Sequence, residues 1–394
     1  MLILRNCRLI KELTEDYSKQ YADILIDGKY IIAINDVGTD FKVQCEEINI
    51  CNKTVIPGLF DLHAHIDCRS LDPSRMHLKG AGTTAFEAYE CGREYLRQGY
   101  TTVRDCGCRF NAAIALRDAI NEGIVQGPRM IASGLIITPT ERGNSTFETL
   151  YVEADGPEEV RKACRQELQK GADFIKVMGT GAFYNVGGVP GETISSLEEF
   201  EAAVKVAEMK NTYVAAHCHG TGAIKLAINA GIRTIEHGSF IDDVGISMLK
   251  GNDNCFIIPT LSIFMVTNDD PSLIPNQILD TIKSLKEAMT NCIINAYKAG
   301  LKLGWGTDID FENLKKRPGY EFIVRKKILD FDNIDMLLQA TKYSAEIVRL
   351  NDRLGTVKAG KYADLIVIDG NPDDNIFVME KDLIHVLKEG NLIY

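Results

Sequence analysis

No apolar run among the 394 residues is long enough to cross a bilayer, which would need ~18 residues or more. The opening "MLILRNCRLIKEL" has four apolar residues before Arg5, too few for the core of a signal peptide. Basic excess is missing as well. A net charge of -11 argues against nucleic acid as the main partner. It leaves the choice of small substrate open, because a local pocket can oppose the global sign. The 11 cysteines are odd in number and have no regular spacing, so reduced thiols in the cytoplasm are expected rather than a disulfide framework. Cys106-Gly-Cys108, the closest pair, has no second pair beside it and reads as packing. No repeat of fixed period is evident. There is no G-x-S-x-G, and neither G-x-G-x-x-G nor a P-loop follows the first central strand. What remains is a globular chain, 45% apolar, with enough core for more than one domain.

The two ends resemble each other and differ from the middle. "ADILIDGKYIIAI" sets two β-rich runs around Asp27-Gly28, a hairpin signal, and "LGTVKAGKYADLIVIDGNP" and "HVLKEGNLIY" read as further short strands. Residues 1–54 and 351–394 are therefore expected to form one small β domain, a β-sandwich, interrupted by residues 55–350. That central region alternates short β-branched runs with longer amphipathic stretches. Its strand candidates are "TVIPGLFDLH", "TTVRDC", "RMIAS", "FIKVM", "VAAH", "RTIEH", "FIIPT" and "LKLGWGTD". Gly99, Gly171, Gly231 and Gly300 each close a helix-like stretch, where a residue able to take positive φ is needed. The alternation predicts an α/β chain, a (β/α)8 TIM barrel rather than an open doubly wound sheet.

In such a barrel catalytic groups sit at the C-terminal ends of the strands. The polar residues fall there. The first strand finishes in His63-Ala64-His65, whose alternate side chains share a face and can aim at one metal ion. Lys176 lies in "FIKVM", His217 and His237 close the fifth and sixth strands, and Asp308 closes the eighth. A single histidine closing a strand is more often structural than a ligand, and Asp308 on its own suits a helix cap. Lys176 is more telling. Barrel strands are buried on both faces, so a lysine between Ile175 and Val177 must lose its charge or find a partner, unless it snorkels.

In that order, "PGLFDLHAHID", the fourth-strand lysine, "AAHCHG", "TIEHG" and "GTD" resemble the metal-dependent amidohydrolase superfamily, and "LGTVKAGKYADLIVID" resembles its usual C-terminal β segment. The closer resemblance is to the branch of imidazolonepropionase-like proteins and zinc-dependent Xaa-Pro and Xaa-Arg dipeptidases or carboxypeptidases. It implies two divalent metal ions, zinc being suited to imidazole-rich sites with open positions. His63, His65 and Asp308 would hold the more buried ion, and His217 and His237 the more exposed one. Lys176, carboxylated by carbon dioxide, would bridge them. The implied chemistry is attack of a metal hydroxide on an amide carbon, with Asp308 as base and then acid and His237 or His219 stabilising the oxyanion. A homo-oligomer is implied too.

The expected enzyme is a binuclear hydrolase of C–N amide bonds, a dipeptidase or carboxypeptidase acting on dipeptides or N-acyl amino acids. The alternatives are a hydrolase of cyclic amides, a deaminase, or a non-enzymatic paralogue. Lys176 argues against mononuclear cyclic amide hydrolases and deaminases and leaves a binuclear cyclic amidase open, and the full ligand set argues against the paralogue. His219 is assigned to substrate contact, Cys218 to packing, and Arg104 and Asp105 to the surroundings of the ligands. His77 reads as a pocket or surface residue and His385 as structural. Two loops set specificity: "GTGAFYNVGGVPGE", which departs from the related dipeptidases, and "LSIFMVTNDDPSLIPNQ", read as a long loop whose Asp269 and Asp270 read as solvated residues first and as an attractor of a cationic side chain second. Arg69 and Arg142 are the candidates for a substrate carboxylate.

Overall fold

A computed structural model describes residues 1–70, 79–184, 190–269 and 276–394. The expectations for His77 and Asp270 lie outside the described residues, as does the one for the side chain of Asp269. The chain divides into two compact units, one of Met1–Asp61, Arg93–Thr102 and Leu314–Tyr394, the other of Leu62–Gly92 and Val103–Asn313.

In the first unit both chain ends enter one sheet of eight strands. Its path runs Asn391–Leu392, His385–Lys388, Leu365–Ile368, Thr54–Pro57, Leu2–Leu9, Tyr21–Asp27 and Tyr30–Asn35, with Glu46–Asn49 also pairing Leu2–Leu9. The hairpin falls where Asp27-Gly28 marks it, with Asp27 opposite Tyr30. Alternating residues of several strands, among them Leu4, Ile24, Val55, Leu365 and Leu387, meet in one buried cluster. The expected structural place of His385, in a strand of this sheet, holds.

The same unit carries a carboxylate tie. Glu15 accepts from the Thr356 hydroxyl at 2.8 Å and from Lys358 Nζ at 3.0 Å. Burial raises its pKa, but these bonds outweigh burial and hold the group down at about 2. A lowered folded value means the contribution is complete above the unfolded value of 4.5 and is lost as pH falls toward 2. Glu15→Gln is expected to lower the melting temperature by about 1–3 °C at pH 7, with the gap to wild type narrowing below pH 4.5. A gap that stays constant from pH 7 to pH 3 in melting scans would contradict the tie.

Parallel strands dominate the second unit. One six-stranded parallel sheet runs in the order Tyr151–Glu153, Ile136–Thr138, Ile175–Met178, Val214–Cys218, Thr234–His237 and Phe256–Ile258. A three-stranded sheet orders Leu59–Ala64, Tyr100–Asp105 and Arg129–Ala132. Single backbone bonds extend these sheets: Asp173 N to Ala132 O at 2.7 Å, Gly304 N to Ile257 O at 2.9 Å, and Leu62 N to Trp305 O at 2.8 Å. The fold class is thus α/β with parallel sheets.

Helices follow the strands as the periodicity predicts. Leu197–Met209 opens on a capping box, Ser196 with Glu199. Gly99, Gly171, Gly231 and Gly300 all adopt positive φ, from +81° to +101°. Three expectations need correction. "TVIPGLFDLH" is two strands, Thr54–Pro57 and Leu59–Ala64, in different sheets. "LKLGWGTD" forms no ladder, only a bridge between Leu303 and Ile257. The segment read as a long loop after the seventh strand begins as the helix Leu261–Asp269. Leu261, Ile263, Phe264, Met265 and Val266 are all buried there, and a helix apolar all round has no polar stripe to announce its period. No helix among the described residues is long and apolar enough to cross a membrane.

Candidate metal centre

The parallel register sets the site. Met178 pairs with His217 and Cys218 with His237, so Lys176, His217 and His237 lie on three neighbouring interior strands of the sheet, the two histidines at or next to their strands' C-terminal ends. From the other sheet, Leu59–Ala64 delivers His63, and His65 follows just beyond it. The Trp305–Asp308 segment runs beside it, with Asp308 N donating to His63 O at 2.8 Å. Gly306 permits this approach, because a Cβ there would lie 2.8 Å from the His63 Cβ and 2.7 Å from Ile258 Cγ2.

One pocket is lined by His63, His65, Lys176, His217, His219, His237 and Asp308, all that the sequence assigned to ligation or catalysis. Within it the donors form two clusters, His63 with His65 and Asp308, and His217 with His219 and His237, each with ligand atoms within 4.8 Å of one another. His63 Nε2 and His65 Nε2 lie 3.8 and 3.7 Å from Asp308 Oδ1. His237 Nε2 lies 2.9 Å from His217 Nδ1. The rings of His63 and His237 stand 4.8 Å apart, which joins the clusters. Lys176 is 2% exposed and forms no ion pair among the described residues.

Backbone geometry marks two of these positions. His237 and Asp308 adopt left-handed φ of +69° and +53°. Such conformations in residues other than glycine cost on the order of 1–2 kcal/mol and persist where the surroundings over-determine them.

Most of the histidines have their second nitrogen held. His63 Nδ1 lies 2.7 Å from Glu236 Oε2, His65 Nδ1 2.7 Å from Gly107 O, His219 Nδ1 2.8 Å from Ser239 Oγ and His237 Nδ1 2.6 Å from Thr260 Oγ1. These contacts leave the opposite nitrogen of each ring for the pocket. Burial first, and the charge of Lys176 after it, lowers the His63 pKa well below its usual value and His219 to about 3. Burial lowers His217 and His237 likewise, with neighbouring histidines adding to it. The imidazoles are therefore neutral, the form that binds metals. His217 Nδ1 and His237 Nε2, 2.9 Å apart, converge beside His219, and ring nitrogens of neutral histidines gathered in this way are a donor set that fits a metal ion.

Around the ligands lies a network that sequence reading found only in part. Arg104 Nη2 donates to Glu236 Oε1 at 2.7 Å and Arg104 Nε to Leu62 O at 2.6 Å, with both side chains fully buried. Burial raises the Glu236 carboxyl, but Arg104 and His63 outweigh it and hold it down at about 2. Asp105 accepts from Ile66 N at 2.9 Å and from Gly107 N at 3.0 Å, so it fixes the backbone on both sides of the His65–Gly107 contact. Burial pushes this carboxyl up to about 7. Arg104 and Asp105 thus surround the ligands, as expected. Glu236 was missed, although it lies inside "TIEHG".

Removing one partner of a buried ion pair leaves an uncompensated charge, at a cost of about 3–5 kcal/mol. Glu236→Ala is expected to lose about that much in urea unfolding. The double variant Arg104→Met/Glu236→Leu should regain most of it. That variant should still bind metal about 10- to 100-fold more weakly, because His63 loses the group that orients it. Wild-type metal affinity in the double variant would show that Glu236 does not orient His63.

The candidates for substrate carboxylate are not brought to the pocket. Arg69 pairs with Glu90 at 2.6 Å and covers the Phe311 ring, while Arg142 is exposed on a turn. The arginine that does line the pocket among the described residues is Arg109, its Nε donating to Asp67 Oδ2 at 2.7 Å. No sequence motif marks Arg109. Cys218 is fully buried and does not line the pocket, in keeping with packing.

The chain belongs to the amidohydrolase family, whose profile matches residues 54–393. Ochratoxinase of Aspergillus niger is 28% identical over 428 aligned positions, spanning 94% of this chain and 85% of that protein. A solved Xaa-Pro dipeptidase with methionine bound in its active site superposes with a TM-score of 0.90 at 29% identity, covering 100% of this chain and 99% of that one. A prolidase complexed with N-methylphosphonate-L-proline gives 0.89 at 29% identity, with the same coverage. The protein is an enzyme, a hydrolase acting on carbon–nitrogen bonds, and the resemblance to the dipeptidase branch is upheld.

Proposed function

We propose that the protein is a binuclear metal-dependent hydrolase of amide bonds, acting on dipeptides or N-acyl amino acids. The observation that carries this reading is Lys176, buried without an ion pair among the described residues, in the pocket that holds five histidines and Asp308. A lone ammonium there is costly, whereas a carbamate on its nitrogen would be an anion suited to bridging two cations. The barrel expected over residues 55–350 is part of the reading, supported by the single backbone bonds that extend one parallel sheet toward the other. The terminal β-sandwich is supported by the shared cluster of alternating residues. The 11 cysteines, all unbonded, fit a reducing compartment such as the cytoplasm.

In this reading His63, His65, Lys176, His217, His237 and Asp308 would hold a pair of divalent ions, zinc by the chemistry of the donors, and bound there the ions would supply an acidified water and polarise the amide carbonyl. Asp308 takes a proton from the attacking water and returns it to the amide nitrogen as the C–N bond breaks, releasing a carboxylate and an amine. His219 is neutral, and in the tautomer whose Nδ1 accepts from the Ser239 hydroxyl its Nε2–H would donate to the oxygen that gains charge.

The test is a screen of N-acyl amino acids and dipeptides with protein grown in zinc and bicarbonate, following free amine. Turnover on either class supports the reading. Failure on both, with turnover of a lactam, would replace it with a cyclic amide hydrolase.

A further inference from the structure

Aromatic side chains gather in the pocket beside the candidate centre. Phe147, Tyr151, Phe183, Tyr184 and Phe264 all line it. Phe183 meets His219 edge to face at 4.7 Å and Phe264 at 5.3 Å, both with interplanar angles of 76°. Phe147 and Tyr151 form a second pair at 5.4 Å. The first pair abuts a residue of the centre itself.

These rings are not all ordinary core. Phe147, Tyr151 and Tyr184 are only half-buried while lining a concave surface, and Phe183 and Phe264, each 5% exposed, line the same surface beside His219. Half-covered rings in a cavity offer apolar faces and edges that a flat guest satisfies and a small polar guest does not. Charge recognition is limited by comparison. The cations lining the pocket among the described residues are Arg109 and Lys176. Asp67 already accepts from Arg109, with Oδ2 at 2.7 Å from Nε and the backbone oxygen at 3.1 Å from Nη2.

We infer that the preferred substrate is an amide carrying a large aryl group, held against the wall that Phe183 and Phe264 make beside His219, rather than a small polar dipeptide. This rests on the amide-hydrolase reading for the bond that is cut, but the preference itself is a property of the wall.

Three probes share one amide and one carboxylate: N-acetyl-L-alanine, N-(2-naphthoyl)-L-alanine and N-acetyl-L-naphthylalanine. Binding is measured by calorimetry, and kcat/KM after zinc loading. At least one aryl probe is expected to exceed N-acetyl-L-alanine by about 30-fold, equal to ~2 kcal/mol. Phe183→Ala and Phe264→Ala should each reduce that ratio to about threefold or less while metal content is unchanged. Should an alanine variant misfold, Phe183→Leu keeps apolar volume without the ring and should still lose most of the preference. Equal performance of the three probes overturns the inference, even if all are cleaved and the amide-hydrolase reading stands. A preference that survives every variant overturns it too, since the rings would not be its source. Tight aryl binding, lost in the variants, with no cleavage of any amide would keep the aryl preference of the wall and sink the amide-hydrolase reading.

Discussion

Lys176→Ala should strip the pair of ions from the purified protein and lower kcat/KM by about 10^3- to 10^5-fold, the scale of several kcal/mol of lost metal catalysis. The reasoning is electrostatic. Lys176 is 2% exposed, and its positive charge is one cause that lowers the pKa of His63, His65, His217, His219 and His237. A cation at the focus of five metal-capable imidazoles would repel the ions those imidazoles suit. Carbon dioxide uptake by Lys176, as proposed above, would reverse the sign of the charge at that point. Lys176→Arg separates this account from simple packing, because it keeps a long cationic side chain that cannot become a bridging carbamate. It should lose metal as fully as the alanine variant. Elemental analysis of both variants after growth in zinc and bicarbonate decides the matter. A Lys176→Ala protein that retained tightly bound stoichiometric metal would remove the bridging role.

Asp308→Asn should lower kcat by about 10^2- to 10^4-fold, the usual range for loss of a positioned acid–base group, with a much smaller change in KM. Asparagine is the clean substitution here. Asp308 sits at φ +53°, a conformation asparagine tolerates far better than alanine, so the backbone against His63 should survive. His63 and His65 remain to hold the inner ion, and metal content should fall less than in the lysine variants. The check is a metal assay paired with initial rates on whichever amide the screen identifies. A near wild-type rate in metal-loaded Asp308→Asn would show that the proton travels by another residue.

Much of the centre could be read from the chain because its side chains obey short-range rules. His63 and His65 share a strand face by alternation, and His217, His237 and Lys176 lie in β-branched runs whose burial a single sequence announces. What escaped depends on partners far away in the chain. Glu236 gains its meaning from Arg104 and His63, which lie 132 and 173 positions away. Arg109 gains its own from Asp67, 42 positions away. No local pattern encodes such pairings. Ile136–Thr138 and Tyr151–Glu153 were also missed, at three residues each too short for alternation to register. The final strand candidate failed for a different reason. Gly306 lets the backbone crowd against His63 and Ile258, and the segment makes only a bridge, not a regular ladder.

The left-handed backbone at His237 and Asp308 bears on any attempt to transplant this centre. Both residues aim their Cβ differently from an ideal strand end, so copying six side chains onto idealised β-strands would misdirect two of them. A faithful graft has to import the local kinks together with whatever holds them, here the Gly306 approach and the bond from Asp308 N to His63 O. Designers working from residue identity alone would reproduce the ingredients without the aim.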